Sequence, residues 1–320
     1  MINSLIKKLK SVKDTREDKG KRHPLWVILM IVILGNMLGF SSYRALGDFT
    51  CFYQTQLCSF LQIQNKQMPS YSTIRRVLKS LETQLLINIF NQWVESFFNH
   101  EGEENLWCSL DGKTLRNTLT NECDKMQNFV VLISLFCQKT GLVLNLETYE
   151  SKEASELKTV QKQCQKIVWE NLIMSLDALH CQKETTEIIT KGGNDYLIAV
   201  KKNQPSLYKK IEKIAKEKQA DSECIKQDNS HGRKIERKVS VWENKEVRKN
   251  SVLNKFSEIK SLIKVERRGT RGKKEYKQIM YYISSKKEKA EVFLEKIKDH
   301  WKIENRLHWG GTDSEPVSLY

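Results

Sequence analysis

From Leu106 onward the chain alternates short apolar runs with segments of helical spacing, in an order that admits few folds. Leu106–Leu110, Phe129–Cys137 and Leu142–Tyr149 read as strands, the last two joined by a turn at Lys139-Thr140-Gly141. Helical spacing follows over Ser155–Gln165. A strand at Leu172–Leu176 comes next, then a helix from about Cys181 to Thr190 that Gly192-Gly193 stops. Tyr196–Val200 is a further strand, left through a turn at Pro205. This β-β-β-α-β-α-β order predicts an α/β fold, a mixed sheet with flanking helices. Residues 206–280 mix helix with Lys/Arg-studded strands such as Lys238–Trp242 and Gln278–Ser284, and a last helix is expected from about Lys289 to Trp309.

Residues 1–100 read as all-helical. Leu25–Phe40 is a nearly unbroken apolar run behind Lys21-Arg22-His23, which invites reading as a signal peptide or anchor. It falls short of the ~18–20 residues that span a bilayer. It also holds Gly35, Asn36 and Gly39, and a buried core helix is the reading preferred here. Tyr43–Gln64 keeps helical spacing. Pro69-Ser70-Tyr71-Ser72-Thr73 then supplies a breaker and N-cap candidates for a helix opening at Ile74-Arg75-Arg76. That helix suits a DNA groove and equally an amphipathic helix with a basic outer face. The 8 cysteines include no CxxC pair, so a zinc ribbon and a disulfide framework are both disfavoured, and a reducing cytoplasm fits.

Charge is concentrated. The 320 residues carry a formal +15, and residues 201–280 hold 24 basic against 11 acidic side chains, a net +13. Residues 1–24 add +5. Charge gathered in one segment points to a polyanion, most simply nucleic acid, with a solvated lysine-rich surface as the alternative.

Two strands end alike, at Ser109-Leu110-Asp111 and Ser175-Leu176-Asp177. Ligands collect at strand carboxyl ends in open α/β sheets, so neighbouring strands would bring these carboxylates together. Taken singly, each Asp also suits a turn or an N-cap. On the last helix Phe293, Ile297 and Trp301 form an apolar stripe that takes in Glu304 and His308, with Glu295, Asp299, Lys302 and Arg306 opposite. A core-facing Glu304 needs a cation, either a metal or an internal partner such as Lys113 or Arg116. His300, Glu304 and His308 share a face open to zinc, but the spacing is not HExxH. Three inward carboxylates form a hard-oxygen site for Mg²⁺ or Mn²⁺, and two such ions suit phosphodiester chemistry.

The chain resembles insertion-sequence DDE transposases of the H-repeat-associated type (the ISAs-one family). The resemblance runs from about Leu9 to Trp309. It is carried by Asp14-x-Arg16, Gly20-Lys21-Arg22-His23-Pro24-Leu25, and Pro69-Ser70-x-Ser72-Thr73-Ile74-x-Arg76-Val77-Leu78. Asp111-Gly112-Lys113-Thr114-x-Arg116 and Leu176-Asp177-Ala178-Leu179-His180-Cys181-Gln182-Lys183 follow. After them come Asp195-Tyr196, Lys202-Asn203-Gln204-Pro205, and His231-Gly232-Arg233 with Glu236 and Arg237. Tyr281-Tyr282-Ile283-Ser284-Ser285 and His300-Trp301-x-Ile303-Glu304-Asn305-x-Leu307-His308-Trp309 complete the series.

The resemblance implies an RNase H-like (retroviral-integrase-type) catalytic domain over 101–309, with a basic insertion at about 206–285, behind a helical transposase-associated domain over 1–100. Its acids fall on Asp111, Asp177 and Glu304, as catalytic residues and ligands of two Mg²⁺ or Mn²⁺ ions. Lys113, Arg116, Lys201, Lys202, His231 and Arg233 are implied DNA contacts. The implied activity is DNA strand cleavage at element ends and transfer to target DNA, by a homodimer on double-stranded DNA. No membrane partner is expected, and the expected setting is the bacterial cytoplasm at the nucleoid. After Trp309 the sequence leaves the family pattern, and residues 310–320 read as an aberrant tail left by truncation or frameshift. A catalytically defective DNA-binding remnant is therefore the alternative.

Overall fold

A computed structural model describes residues 2–98, 105–120, 128–230, 233–243, 252–271, 274–301 and 303. The chain divides into two compact units, Met1–Asn99 and His100–Tyr320.

The first unit is helical: α1 (Ile2–Lys10), α2 (Leu25–Met37), α3 (Tyr43–Phe52), α4 (Gln54–Phe60), α5 (Tyr71–Ser80) and α6 (Thr83–Glu95). The apolar run is α2, and its Val27–Ile31 turn is buried on every side. A helix apolar all round is buried in the middle of a unit, as here among Leu9, Leu46, Phe49 and Ile74. Gly35 is needed at that packing. A Cβ there would run into the Leu46 and Phe49 side chains. Among the described residues no helix is long and apolar enough to cross a membrane.

The second unit is mixed α/β. Its strands are β1 (Leu106–Thr120), β2 (Asn128–Cys137), β3 (Val143–Glu150), β4 (Leu172–Leu176), β5 (Asp195–Val200), β6 (Ser222–Ser230), β7 (Arg233–Glu243), β8 (Ser261–Arg271) and β9 (Lys274–Ser284). The helices are α7 (Glu156–Lys166), α8 (Lys183–Lys191), α9 (Pro205–Glu217) and α10 (Ala290–His300). The described strands form one sheet in the order β3-β2-β1-β4-β5-β9-β8-β7-β6. Only the β1–β4 and β4–β5 pairs are parallel, and the rest are antiparallel. The Lys/Arg-studded segments are the long arms β6–β9.

Two expectations are corrected. The first strand does not end at Leu110: β1 runs on through Asp111 to Thr120, because β2 pairs along its other edge as far as Leu115↔Val130. Gly112 marks a close approach, since a Cβ there would lie 3.2 Å from the Glu156 carboxyl carbon. In α10, Phe293 and Ile297 are buried, but Trp301 is 50% exposed and Asp299 is buried. Position 301 lies about 80° round the helix from 293, whereas position 300 lies only about 20° away. The buried stripe therefore passes through His300, not Trp301.

Helix α10 packs Phe293 into the core with Trp107, Ile173 and Leu197, its ring edge-on to Trp107 at 6.3 Å. Phe293→Ala is expected to cost about 3–5 kcal/mol of unfolding free energy by chemical denaturation. A loss below about 1 kcal/mol would contradict this packing.

Candidate functional site

Parallel pairing sets the geometry. Leu106, Trp107, Cys108 and Ser109 of β1 stand beside Leu172, Ile173, Met174 and Ser175 of β4. Side chains alternate along a strand, so Asp111 and Asp177 lie in phase, two residues past the last paired rung and on the same face. Neighbouring strands are about 4.8 Å apart. Next along the sheet Ser175 pairs with Leu197, which puts Lys201, just beyond β5, on that face too. Its Nζ lies 3.1 Å from Asp177 Oδ1. This is also the face covered by α10.

Asp177 plays two parts at once. Its Oδ1 accepts a 2.6 Å hydrogen bond from the Ala178 N–H and caps the short 3-10 turn Ala178–His180. Burial pushes its carboxyl pKa up, but the Ala178 N–H and the hydrogen bond and charge of Lys201 outweigh it. The net value lies below the ordinary carboxylate range. The lysine expected to touch DNA therefore holds an acid of the site in this structure.

Under the carboxylates lies a buried polar network that the sequence reading did not find. Gln138 Nε2 donates to Ser109 Oγ at 3.1 Å and to Ser175 Oγ at 3.2 Å. Ser175 Oγ donates to the Cys108 carbonyl at 3.1 Å and meets His300 Nδ1 at 2.9 Å. The signal was the repeated Ser-Leu-Asp tripeptide, whose serines tie β1, β2, β4 and α10 together. On the other side of the site His180, 1% exposed, meets Glu156 Oε1 through Nε2 at 3.1 Å. Glu156 opens α7 beside Gly112, so a further carboxylate lies close to the Asp111-Gly112 segment. That contact spans 44 residues and has no sequence periodicity to reveal it.

A hard cation suits the oxygens present. Ser134 stands directly opposite Asp111 in the β1–β2 pair. Its hydroxyl is buried and has no hydrogen-bond partner among the described residues. Carboxylate and hydroxyl oxygens are the donor type that Mg²⁺ and Mn²⁺ prefer. Among the described residues no three His, Cys, Asp or Glu side chains gather as a metal cluster. Glu304 and His308 lie outside the described residues, and His300 is engaged by Ser175 rather than by a zinc set.

Of the remaining candidates, Lys113 follows two positions after Asp111 on β1, and Lys202 is exposed beyond β5. The backbone of Arg116 belongs to β1 and that of Arg233 to β7, where Arg233 pairs with Ser230. His231 lies outside the described residues. The basic arms are partly neutralised from within. Glu266 pairs with Lys264 at 2.6 Å and Lys277 at 3.5 Å, and Asp228 with Lys298 at 3.1 Å and Arg237 at 3.5 Å.

Burial pulls the pKa of His300 from the ordinary 6.5 down to about 4, against the charge of Asp177 and with that of His180. Between those values the unfolded chain binds the extra proton, so stability falls as pH drops from about 6.5 towards 4. In chelator-containing buffer the drop is expected to be on the order of 2–3 kcal/mol and shallower in His300→Asn. Identical pH profiles for the two proteins would contradict the assignment.

Comparison with known proteins supplies the family. The family described as "Transposase DDE domain" matches residues 108–313, and "DDE_Tnp_1-associated" matches residues 6–94. The chain is 28% identical to the "Putative transposase YncI" of Escherichia coli O157:H7, over 96% of this chain and 79% of that protein. It is 27% identical to the "H repeat-associated putative transposase YhhI" of Escherichia coli K12, over 96% and 82%. To the "Putative protein YbfL" of the same strain it is 28% identical, again over 96% and 82%. With the DDE match covering more than half its length, this chain belongs to the DDE transposases, of the H repeat-associated type.

Proposed function

We propose that the chain is a transposase that cuts and rejoins DNA strands during movement of an insertion sequence, with Asp111, Asp177 and Glu304 as its catalytic acids. The observation that carries this reading is the in-phase placement of Asp111 and Asp177 on one face of adjacent parallel strands. Glu304 lies outside the described residues; in the sequence it stands seven positions after Ile297 and eleven after Phe293, a spacing that would put it on the same face of a helix. The β-β-β-α-β-α-β order around parallel β1, β4 and β5 supports an RNase H-like core, with β6–β9 as the basic insertion. The helical unit is read as the transposase-associated domain.

Bound Mg²⁺ or Mn²⁺, two ions in this reading, would lower the barrier to attack on a phosphodiester and stabilise the leaving oxygen. Asp111 and Asp177 would hold them, with Ser134 beside Asp111. The protein's own groups do the rest. The Ser109–Gln138–Ser175–His300 network fixes the acids' strands against α10, and Glu156–His180 fixes the turn after Asp177. Lys201 holds the Asp177 carboxylate ionised and is close enough to exchange that partner for a DNA phosphate. Lys113, Arg116, Lys202, His231 and Arg233 are proposed as further DNA contacts. The proposed partner is double-stranded DNA, element end and target, engaged by two copies of the chain at the nucleoid of a bacterial cytoplasm.

Incubation with DNA carrying matching element ends and Mg²⁺ or Mn²⁺ tests the reading. Strand cleavage is expected in the wild type and a fall of at least about a hundredfold in Asp111→Asn and in Asp177→Asn. Cleavage retained by both variants would reject these acids. Salt-sensitive DNA binding with no metal-dependent cleavage by the wild type would replace the enzyme with a DNA-binding remnant.

A further inference from the structure

Three sequence motifs of the helical unit have no part in the site above, yet the fold gathers them round one cavity. Asp14 and Arg16 form a two-pronged pair, Arg16 Nε to Oδ1 at 2.8 Å and Nη2 to Oδ2 at 2.6 Å. The same guanidinium donates to the Gly20 carbonyl at 3.0 Å and the His23 carbonyl at 2.9 Å. One side chain therefore locks the turn that presents Lys19 and Arg22. The opposite wall is the Pro69–Arg76 segment. Thr50 Oγ1, buried, bonds the Gly47 carbonyl at 2.7 Å and the Pro69 carbonyl at 3.2 Å, which fixes where α5 begins. Gly47 permits that approach, since a Cβ there would lie 2.8 Å from Tyr71 Cβ.

Between the walls is a cavity of about 520 Å³. Lys19, Arg22, His23, Ser70, Thr73 and Arg76 line it, with no carboxylate among the lining residues. Lys21, on the same turn, is paired with Asp18 at 3.0 Å. Lys19, Arg22 and Arg76 make no ion pair among the described residues. Burial, with Arg22 and Arg16 adding their charge, depresses the His23 pKa, as a locally positive field requires. A pocket that is cationic, rich in hydroxyls and free of acids is built for an anion. No Phe, Tyr or Trp lines it to stack a base, which favours a backbone phosphate over a free nucleotide.

We propose that the cavity between the Lys19–His23 turn and the start of α5 seats a backbone phosphate of double-stranded DNA, with Lys19, Arg22 and Arg76 as its charged partners. The choice of DNA as the polyanion rests on the transposase reading. The pocket gives the helical unit a phosphate contact of its own, made by side chains that the Asp14–Arg16 pair holds in place before DNA arrives.

The test is binding of the full-length chain to a fluorescent DNA duplex between about 50 and 200 mM salt. The Lys19→Gln/Arg22→Gln/Arg76→Gln triple is expected to bind at least about tenfold more weakly at the lowest salt. Its slope of log K against log salt should be smaller by about 1, the value for one lost phosphate. Arg22→Lys/Arg76→Lys should keep most of the slope. A control with the same charge change on α1, Lys7→Gln/Lys8→Gln/Lys10→Gln, should keep all of it. All three lost side chains are exposed, so thermal unfolding of the pocket triple should match the wild type. An unchanged slope in the triple, or an equal loss in the α1 control, overturns the proposal. Inorganic phosphate binding that the triple abolishes while its DNA slope stays intact would make this a free-anion site and overturn it too. Metal-dependent cleavage by the wild type, lost in Asp177→Asn, judges the transposase reading separately.

Discussion

The four parallel rungs between β1 and β4 are the constraint on which the rest of the site depends. They set Asp111, inside β1, in phase with Asp177, just past the end of β4, and no other pairing among the described strands does so. A slip of one residue would turn one carboxylate to the opposite face. The register is held by buried apolar side chains on both faces and by a polar lock, Gln138 bridging the two serines that face each other across the pair. Buried polar groups in such a network are costly to leave unmet, so the lock specifies register as well as adding stability.

The same lock reaches the last helix. Ser175 meets His300, so α10 is held on the sheet by a hydrogen bond at the level of the acids as well as by Phe293 and Ile297 below. The electrostatics agree with the geometry. Lys201 stands against Asp177 as a cation would, and keeps the carboxylate ionised in a partly buried place.

Much of this was legible in the sequence, because strand and helix periodicities are local. β4 and the apolar helix α2 lie where the runs of Leu, Ile and Val put them, and Gly192-Gly193 ends α8 as its composition requires. Boundaries set by tertiary partners were not legible. β1 outlasts its apolar run because β2 supports it, and Gly112 serves the approach of Glu156. An i, i+4, i+8 series through Phe293, Ile297 and Trp301 drifts round the helix, and it is His300, against the Ser175 hydroxyl, that faces the sheet. The contacts of Ser109, Ser175, His180 and Glu156 are not legible in the sequence, since they join residues far apart in the chain.

The central claim is that Asp111 and Asp177 together form a divalent-cation site. Mn²⁺ binding to the full chain, followed by electron paramagnetic resonance of the free ion, tests it most directly. The account predicts saturable binding that Mg²⁺ displaces and that weakens at least about tenfold in Asp111→Asn and in Asp177→Asn. Binding of unchanged strength in both variants would contradict it.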